Sequence, residues 1–223
     1  MSANNDVTLI IPVDSNVPAG IINEIVQLHR RQYPDLEIII SSSGVLTGVN
    51  DCIVKCSEKY DVFSLSRTRN AGALASSRKL LLFCDIDITF GPIIDDMIAA
   101  GNAVKGISRY DRVNGITGRL YRCANSPLLI QKDLFESIGG YCEEYAGWGF
   151  EDADFEHKLC CKMIDFDSRA IHIWEIHSIV SSNKAWNHGS ENNRALFETR
   201  LKLPLEERIR NDIAVYNTRK ASL

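Results

Sequence analysis

Leu80-Leu81-Leu82-Phe83-Cys84 is an unbroken apolar run that ends in two carboxylates one residue apart, Asp85-Ile86-Asp87. The run has the length and composition of a strand buried on both faces, as in a parallel sheet. Ligands of open α/β sheets gather just beyond the carboxyl ends of such strands. A solvated strand-end loop often carries one Asp. Two acids with isoleucines around them and nothing basic alongside call for a neutralising cation. A hard divalent ion carrying a phosphorylated substrate meets that need.

Working outward, strands alternate with helices. Residues 7–13 read as a buried strand, and Pro18 opens a helix whose apolar stripe is Ile21, Ile22, Ile25 and Leu28. Tyr33-Pro34-Asp35 ends that helix, and a second strand over 36–40 runs into Ser41-Ser42-Ser43-Gly44. A β-α-β start of this kind implies a right-handed crossover and a parallel sheet. The pattern predicts helices over 69–78 and 93–103, a loop-rich excursion with one or two antiparallel strands over 106–126, and a strand over 128–130. A short helix over 132–138 stops at Gly139-Gly140, and a longer one spans 151–163 with Phe155, Leu159, Cys160 and Met163 on one face. A strand over 169–176 follows, then two charged helices over 191–215 separated by Pro204. The expectation is one domain over 1–223, with a core at about 7–195 and a helical tail at about 191–223.

Composition narrows the partners. The net charge of −4 and the scattered Lys and Arg disfavour nucleic acid and anionic membrane, both of which need a basic face. No apolar stretch approaches the ~20 residues of a membrane span. The polar start, Met1-Ser2-Ala3-Asn4-Asn5-Asp6, does not read as a signal peptide. Seven cysteines show no CxxC pair, although Cys52 and Cys56 can share a helix face. Reduced thiols in a cytoplasmic protein are the expectation.

Three further patterns carry chemistry. Ser66-Arg67-Thr68-Arg69-Asn70-Ala71-Gly72, at a loop-to-helix junction, can grip a diphosphate or a base edge, or simply start a solvated helix. Gly147-Trp148-Gly149-Phe150 suits a mobile loop laying an aromatic plate on a sugar, and Glu151, Asp152 and Asp154 follow it. A helix dipole accounts for one or two of those acids but not for the Gly-Trp-Gly before them. In His172-Ile173-Trp174-Glu175-Ile176-His177, His177 falls just past the strand, at the sheet edge where a metal would sit.

In this order the motifs resemble the GT-A glycosyltransferases: Ser-Arg-x-Arg-Asn-x-Gly, a strand ending in Asp-x-Asp, Gly-Gly-Tyr, Trp-Gly-x-Glu-Asp-x-Asp and a late histidine. The β-1,4-galactosyltransferase-like C-terminal module and the bacterial polysaccharide transferases (family 2-like) are the nearest in pattern, over roughly residues 7 to 195. The resemblance implies an α/β fold: a Rossmann-like, mostly parallel sheet flanked by helices, with a C-terminal helical tail. It implies an inverting transferase moving a sugar from a nucleoside diphosphate donor, UDP in expectation, to a glycan or other hydroxyl acceptor. Asp87 would be the principal Mn²⁺ (or Mg²⁺) ligand, with Asp85 near the ribose or metal and either His172 or His177 completing the shell. Asp152 would be the catalytic base, with Glu151 also at the catalytic centre and Glu151 and Trp148 forming the acceptor and donor pocket. Pro12, Val13, Ser42, Arg67, Arg69, Asn70, Asp85, Ile86, Asp87, Trp148 and Gly149 would contact the nucleotide sugar. Family members carry a base-reading acid at the end of the second strand, where this chain has Ser41-Ser42-Ser43.

Two other readings fit parts of the chain. The run into Asp85-Ile86-Asp87-Ile88-Thr89 also matches the nucleophile strand of haloacid-dehalogenase-like phosphatases, with Asp85 as nucleophile and Asp87 as acid/base. In those enzymes the motif opens the fold, whereas here a β-α-β unit precedes it. A non-catalytic nucleotide-sugar-binding module is the other alternative, and it has no use for a base at Asp152.

Overall fold

Val7–Val13 forms the central strand β1, and every one of its residues is buried. The computed structural model describes residues 6–56, 62–104, 107–114, 120–122, 127–159, 163–181 and 190–222. In it β1 has a parallel partner on each side. Helix α1 (Ala19–Gln32) leads to β2 (Glu37–Ser42) on one side. Beyond it lies the edge strand β3 (Ile53–Cys56), and α2 (Leu65–Ala75) returns the chain to β4 (Leu80–Phe83) on the other side of β1.

The apolar runs are continuous because helices cover both faces of the sheet. Leu9 and Ile11 of β1 join Leu80 and Leu82 of β4 in one core cluster, packed against Ile22, Ile25 and Val26 of α1. Ile10, Leu81 and Phe83 point the other way, into a second cluster with Ala73 of α2. On that second face α2 lies hard against β1: a Cβ on Gly72 would come 2.4 Å from Ile10 Cγ2.

After β4 the chain forms β5 (Ile88–Phe90), α3 (Ile94–Val104), β6 (Ile107–Asn114), β7 (Leu120–Arg122), β8 (Leu128–Gln131) and α4 (Lys132–Ser137). Then come α5 (Glu151–Lys158), β9 (Met163–His172), α6 (Trp174–Ser181), α7 (Ser190–Arg200) and α8 (Leu205–Ala221). Among the described residues the strands make one sheet, ordered β3-β2-β1-β4-β8-β6-β9-β5, with β7 paired to β6. β8 is antiparallel to β4, while β6 runs parallel to β9. The result is a mixed, mostly parallel-cored sheet flanked by helices with helices at the C-terminus.

Several boundaries differ from the sequence expectation. Helix α2 starts at Leu65, because Ser64 accepts a hydrogen bond from the Arg67 N–H as its N-cap, and it ends at Ala75. Ser66 to Gly72 is therefore helical throughout, not a loop-to-helix junction. Cys52 and Cys56 share no helix face, since Cys56 ends the exposed strand β3. Helix α5 stops at Lys158; Cys160 lies outside the described residues, and Met163 opens β9. β9 ends at His172, and residues from Trp174 onward turn into α6, so His177 is helical.

The C-terminal helices are bolted to α5 by buried ion pairs. Asp154 of α5 meets Arg200 of α7 at 3.2 Å and Arg208 of α8 at 3.1 Å, while Asp212 of α8 pairs with Lys158 and Arg200 at 2.7 Å each. Gly139, at φ +74°, lets α8 close in, for a Cβ there would sit 2.4 Å from the Ile213 nitrogen.

Candidate active site

Parallel strands β1, β2 and β4 end on one edge of the sheet. From β1 the chain crosses to β2 on one side and later to β4 on the other, and open α/β sheets take their ligands at the carboxyl ends beside such a reversal. Pro12, Val13 and Ser42 stand at that edge in register, Pro12 opposite Ser41 and Val13 opposite Ser42. Asp14, buried just past β1, is turned back on its own loop and accepts from the Asn16 N–H at 2.9 Å.

Asp85-Ile86-Asp87 leaves the same edge. The Cys84 N–H still donates to the Ile10 carbonyl, and the Ile88 N–H donates to the Asp85 carbonyl, closing a turn. Ile86 sits in the core and anchors that turn. The Asp85 carboxylate stays 30% exposed. Asp87 is fixed from the link between β9 and α6, because the Ile173 N–H donates to its carbonyl at 2.7 Å. One turn into α6, His177 Nδ1 lies 2.7 Å from Asp87 Oδ2. The structure thus brings His177 to Asp87. His172 ends β9 opposite Ile88, and its side chain lies outside the described residues. The Asp87 carboxylate and the His177 imidazole offer an oxygen and a nitrogen donor of the kind Mn²⁺ takes, while the Asp85 carboxylate meets Arg69.

Helix α5 delivers the other acids. Phe150 precedes it in the left-handed region at φ 68°, and Gly147 and Gly149 have φ of 71° and 102°. This tight turn aims the helix start, with Glu151 and Asp152, at α2. There Arg69, only 2% exposed, donates to Asp152 Oδ1 at 2.7 Å and to Asp85 Oδ1 at 3.3 Å, with Glu151 Oε1 at 3.7 Å. Its guanidinium rests on the Tyr141 ring at 4.9 Å, and Tyr141 stacks on Phe155 of α5 at 4.1 Å. Asp152 keeps 28% exposure. Burial nonetheless pushes its carboxyl well above the usual carboxylate range; Arg69 opposes that rise, and Glu151 and Asp85 reinforce it. Burial raises Glu151 too, against Arg69.

Asn70 and Arg67, expected at the nucleotide sugar, have partners within the protein. Asn70 is buried and clamps the Gly-Gly-Tyr segment, donating to the Tyr141 carbonyl and Glu143 Oε1 and accepting from the Tyr141 N–H. Arg67 donates through Nε to the Glu143 carbonyl at 2.9 Å. Arg69 is likewise turned inward, onto the acids. All three hold the α2 side of the site together through contacts distant in sequence.

The Gly147-Trp148-Gly149 loop is tethered at both flanks. The Gly147 N–H donates to the Phe63 carbonyl at 2.7 Å, and buried Asn193 of α7 donates to the Ala146 and Trp148 carbonyls. Trp148 itself is 54% exposed. Nearby, a cleft of about 300 Å³ opens between Phe150 and α7, lined by Phe150, Glu191, Arg194, Ala195 and Glu198. The sequence reading missed Asn193 and this cleft, since neither belongs to a local motif.

Cys142, Asp154 and Asp212 also gather closely enough to suggest a metal site. Lys158, Arg200 and Arg208 already neutralise those two carboxylates, so this cluster is structural.

Comparison with known proteins follows the same outline. A family model described as the N-terminal domain of galactosyltransferase matches residues 119–179. The catalytic domain of Drosophila β1,4-galactosyltransferase 7, in complex with xylobiose, is similar in structure: TM-score 0.52 and 14% identity over 73% of this chain and 63% of that one. S. aureus TarS is similar with TM-score 0.56 and 13% identity over 79% of this chain and 39% of that one. GalNAc-T7 with UDP, GalNAc and Mn²⁺ gives TM-score 0.60 and 14% identity over 74% and 42%. The chain has the GT-A glycosyltransferase fold. It spans between 39% and 63% of the length of these structures. No curated protein matches it by sequence.

Proposed function

We propose that this protein transfers a sugar, with inversion, from a uridine diphosphate donor to a hydroxyl acceptor of a glycan in a reaction that needs Mn²⁺ or Mg²⁺. The observation that carries the reading is the convergence of α5 on the acidic turn: Asp152 reaches, through Arg69, the Asp85 that follows β4. This puts a raised-pKa carboxylate beside the sheet edge that suits a nucleotide.

On this reading Asp87, Asp85 and His177 hold the cation, which when bound neutralises the charge developing on the departing diphosphate. Pro12, Val13 and Ser42 border the nucleotide. Asp152 accepts the proton of the attacking hydroxyl, and burial lifts its basicity towards the range a general base needs. Glu151 sits beside it and limits where that carboxylate can turn. The exposed face of Trp148 and the cleft beside Phe150 border the acceptor. One base and one displacement invert the anomeric carbon. GalNAc-T7 is recorded with UDP, GalNAc and Mn²⁺, which supports a uridine nucleotide and Mn²⁺ here. A cytoplasmic setting is part of this reading.

The phosphatase reading requires Asp85 as a free nucleophile, but Arg69 pairs with it, and β4 follows a β-α-β unit. A panel of nucleotide sugars with Mn²⁺ tests the proposal, with the anomeric configuration of the product read by NMR. Consumption of a UDP-sugar with inversion supports it. Retention, or Mg²⁺-dependent hydrolysis of p-nitrophenyl phosphate without sugar transfer, contradicts it.

A further inference from the structure

The guanidinium of Arg69 is planar and forked, and each arm ends on a different half of the site. Nη2 meets Asp85 on the side of the acidic turn, and Nη1 meets Asp152 on the side of α5. The side chain is buried, and the rings of Tyr141 and Phe155 hold its plane in place from the α5 side. Such a fork can bridge two carboxylates at once, which a lysine ammonium at the end of a flexible stem does poorly.

We propose that Arg69 is a positioning residue that couples occupation of the cation site to the orientation of Asp152. The proposal rests on the metal-dependent transferase reading above. One guanidinium serves both acids, with Glu151 Oε1 at 3.7 Å beside Asp152. A divalent ion held by Asp87 and Asp85 would compete with Arg69 for Asp85, which would leave the arginine's charge to Asp152 and hold that carboxylate where an acceptor hydroxyl would arrive. Coupling between two sites is reciprocal. Neutralising Asp152 must therefore send Arg69 towards Asp85 and weaken the cation site, although Asp152 is not itself a ligand.

Binding of Mn²⁺ alone, followed by the paramagnetic resonance signal of the free ion, tests this without any turnover. Asp152→Asn is expected to raise the Mn²⁺ Kd by about fivefold or more, within the usual range of coupling between sites. In an Arg69→Lys background, which keeps the charge but not the bridge, Asp152→Asn is expected to change the Kd by less than twofold. An unchanged Kd in Asp152→Asn alone overturns the proposal, and that arm decides even if Arg69→Lys does not fold. An equal loss with Arg or Lys at position 69 also overturns it, because Asp152 would then act on the ion directly. If the unmodified protein binds no Mn²⁺, both this inference and the metal-dependent reading fall. If it binds Mn²⁺ but ignores Asp152→Asn, only the coupling falls.

Discussion

Arg69 Nη1 and Asp152 Oδ1 lie 2.7 Å apart across 83 residues of sequence, joining helix α2 to the first turn of α5. Through this contact Asp152 is tied to the helix packed on β1 and β2. A helix-start charge with no such link would serve only the dipole of α5.

The first prediction concerns that acid. Asp152→Asn keeps its shape and loses proton acceptance, so kcat should fall by about 10²- to 10⁴-fold. A helix-dipole role alone would cost about 1 kcal/mol or less of stability and leave turnover near normal. Because burial raises the Asp152 carboxyl, activity should be lost as pH falls through a value above the ~3.9 of a free Asp. An acid limb at or below that value would argue against Asp152 as the base.

Acceptor affinity should depend on the cleft beside α7. Phe150→Ala and Glu198→Gln are expected to raise the acceptor KM while leaving the donor KM within about twofold, as expected when a binding contact is lost on one substrate only. Steady-state kinetics with both substrates varied checks this. A change confined to the donor KM would move the acceptor elsewhere.

Much of this architecture was legible in the chain, and the failures have physical causes. β1 and β4 read correctly because strands buried on both faces leave continuous apolar runs, and their carboxyl ends located Asp85 and Asp87. The α6 boundary misled because Ile171, Ile173 and Ile176 satisfy a strand period first and a helix spacing afterwards. β3 escaped because Ile53 and Val54 lie exposed on an edge and show no buried pattern. The inward turn of Arg69, Asn70 and Arg67 was not readable, since each is decided by a partner more than seventy residues away.

The tail network should carry stability. Arg208→Ala leaves Asp154, which is fully buried, with one cation fewer. Breaking a buried pair from one side costs about 3–5 kcal/mol. Urea unfolding should show a correspondingly lower midpoint, and an unchanged midpoint would mean that Arg200 alone suffices.

His29 should make the fold acid-sensitive. Its ring is fully buried against Phe90, neither nitrogen finds a hydrogen-bond partner among the described residues, and burial drives its pKa down to about 4 from 6.5. The unfolded chain binds the proton more readily, so this contribution is complete above about pH 6.5 and is lost as pH falls towards about 4. The shift corresponds to about 3 kcal/mol at 1.36 kcal/mol per unit. His29→Leu should flatten the stability profile in that window, measured by denaturant midpoint against pH. An unaltered slope would assign the acid sensitivity to other groups.

Calorimetric titration of UDP into the protein, with Mn²⁺ and then with EDTA, tests the central claim most directly. Arg69 is shared among Asp85, Asp152 and Glu151, so the acidic turn keeps a negative charge that would repel a diphosphate without a cation; binding should appear with Mn²⁺ and vanish with EDTA. Asp87→Asn should abolish it even with Mn²⁺ present. Equal UDP affinity with and without the metal would contradict the account.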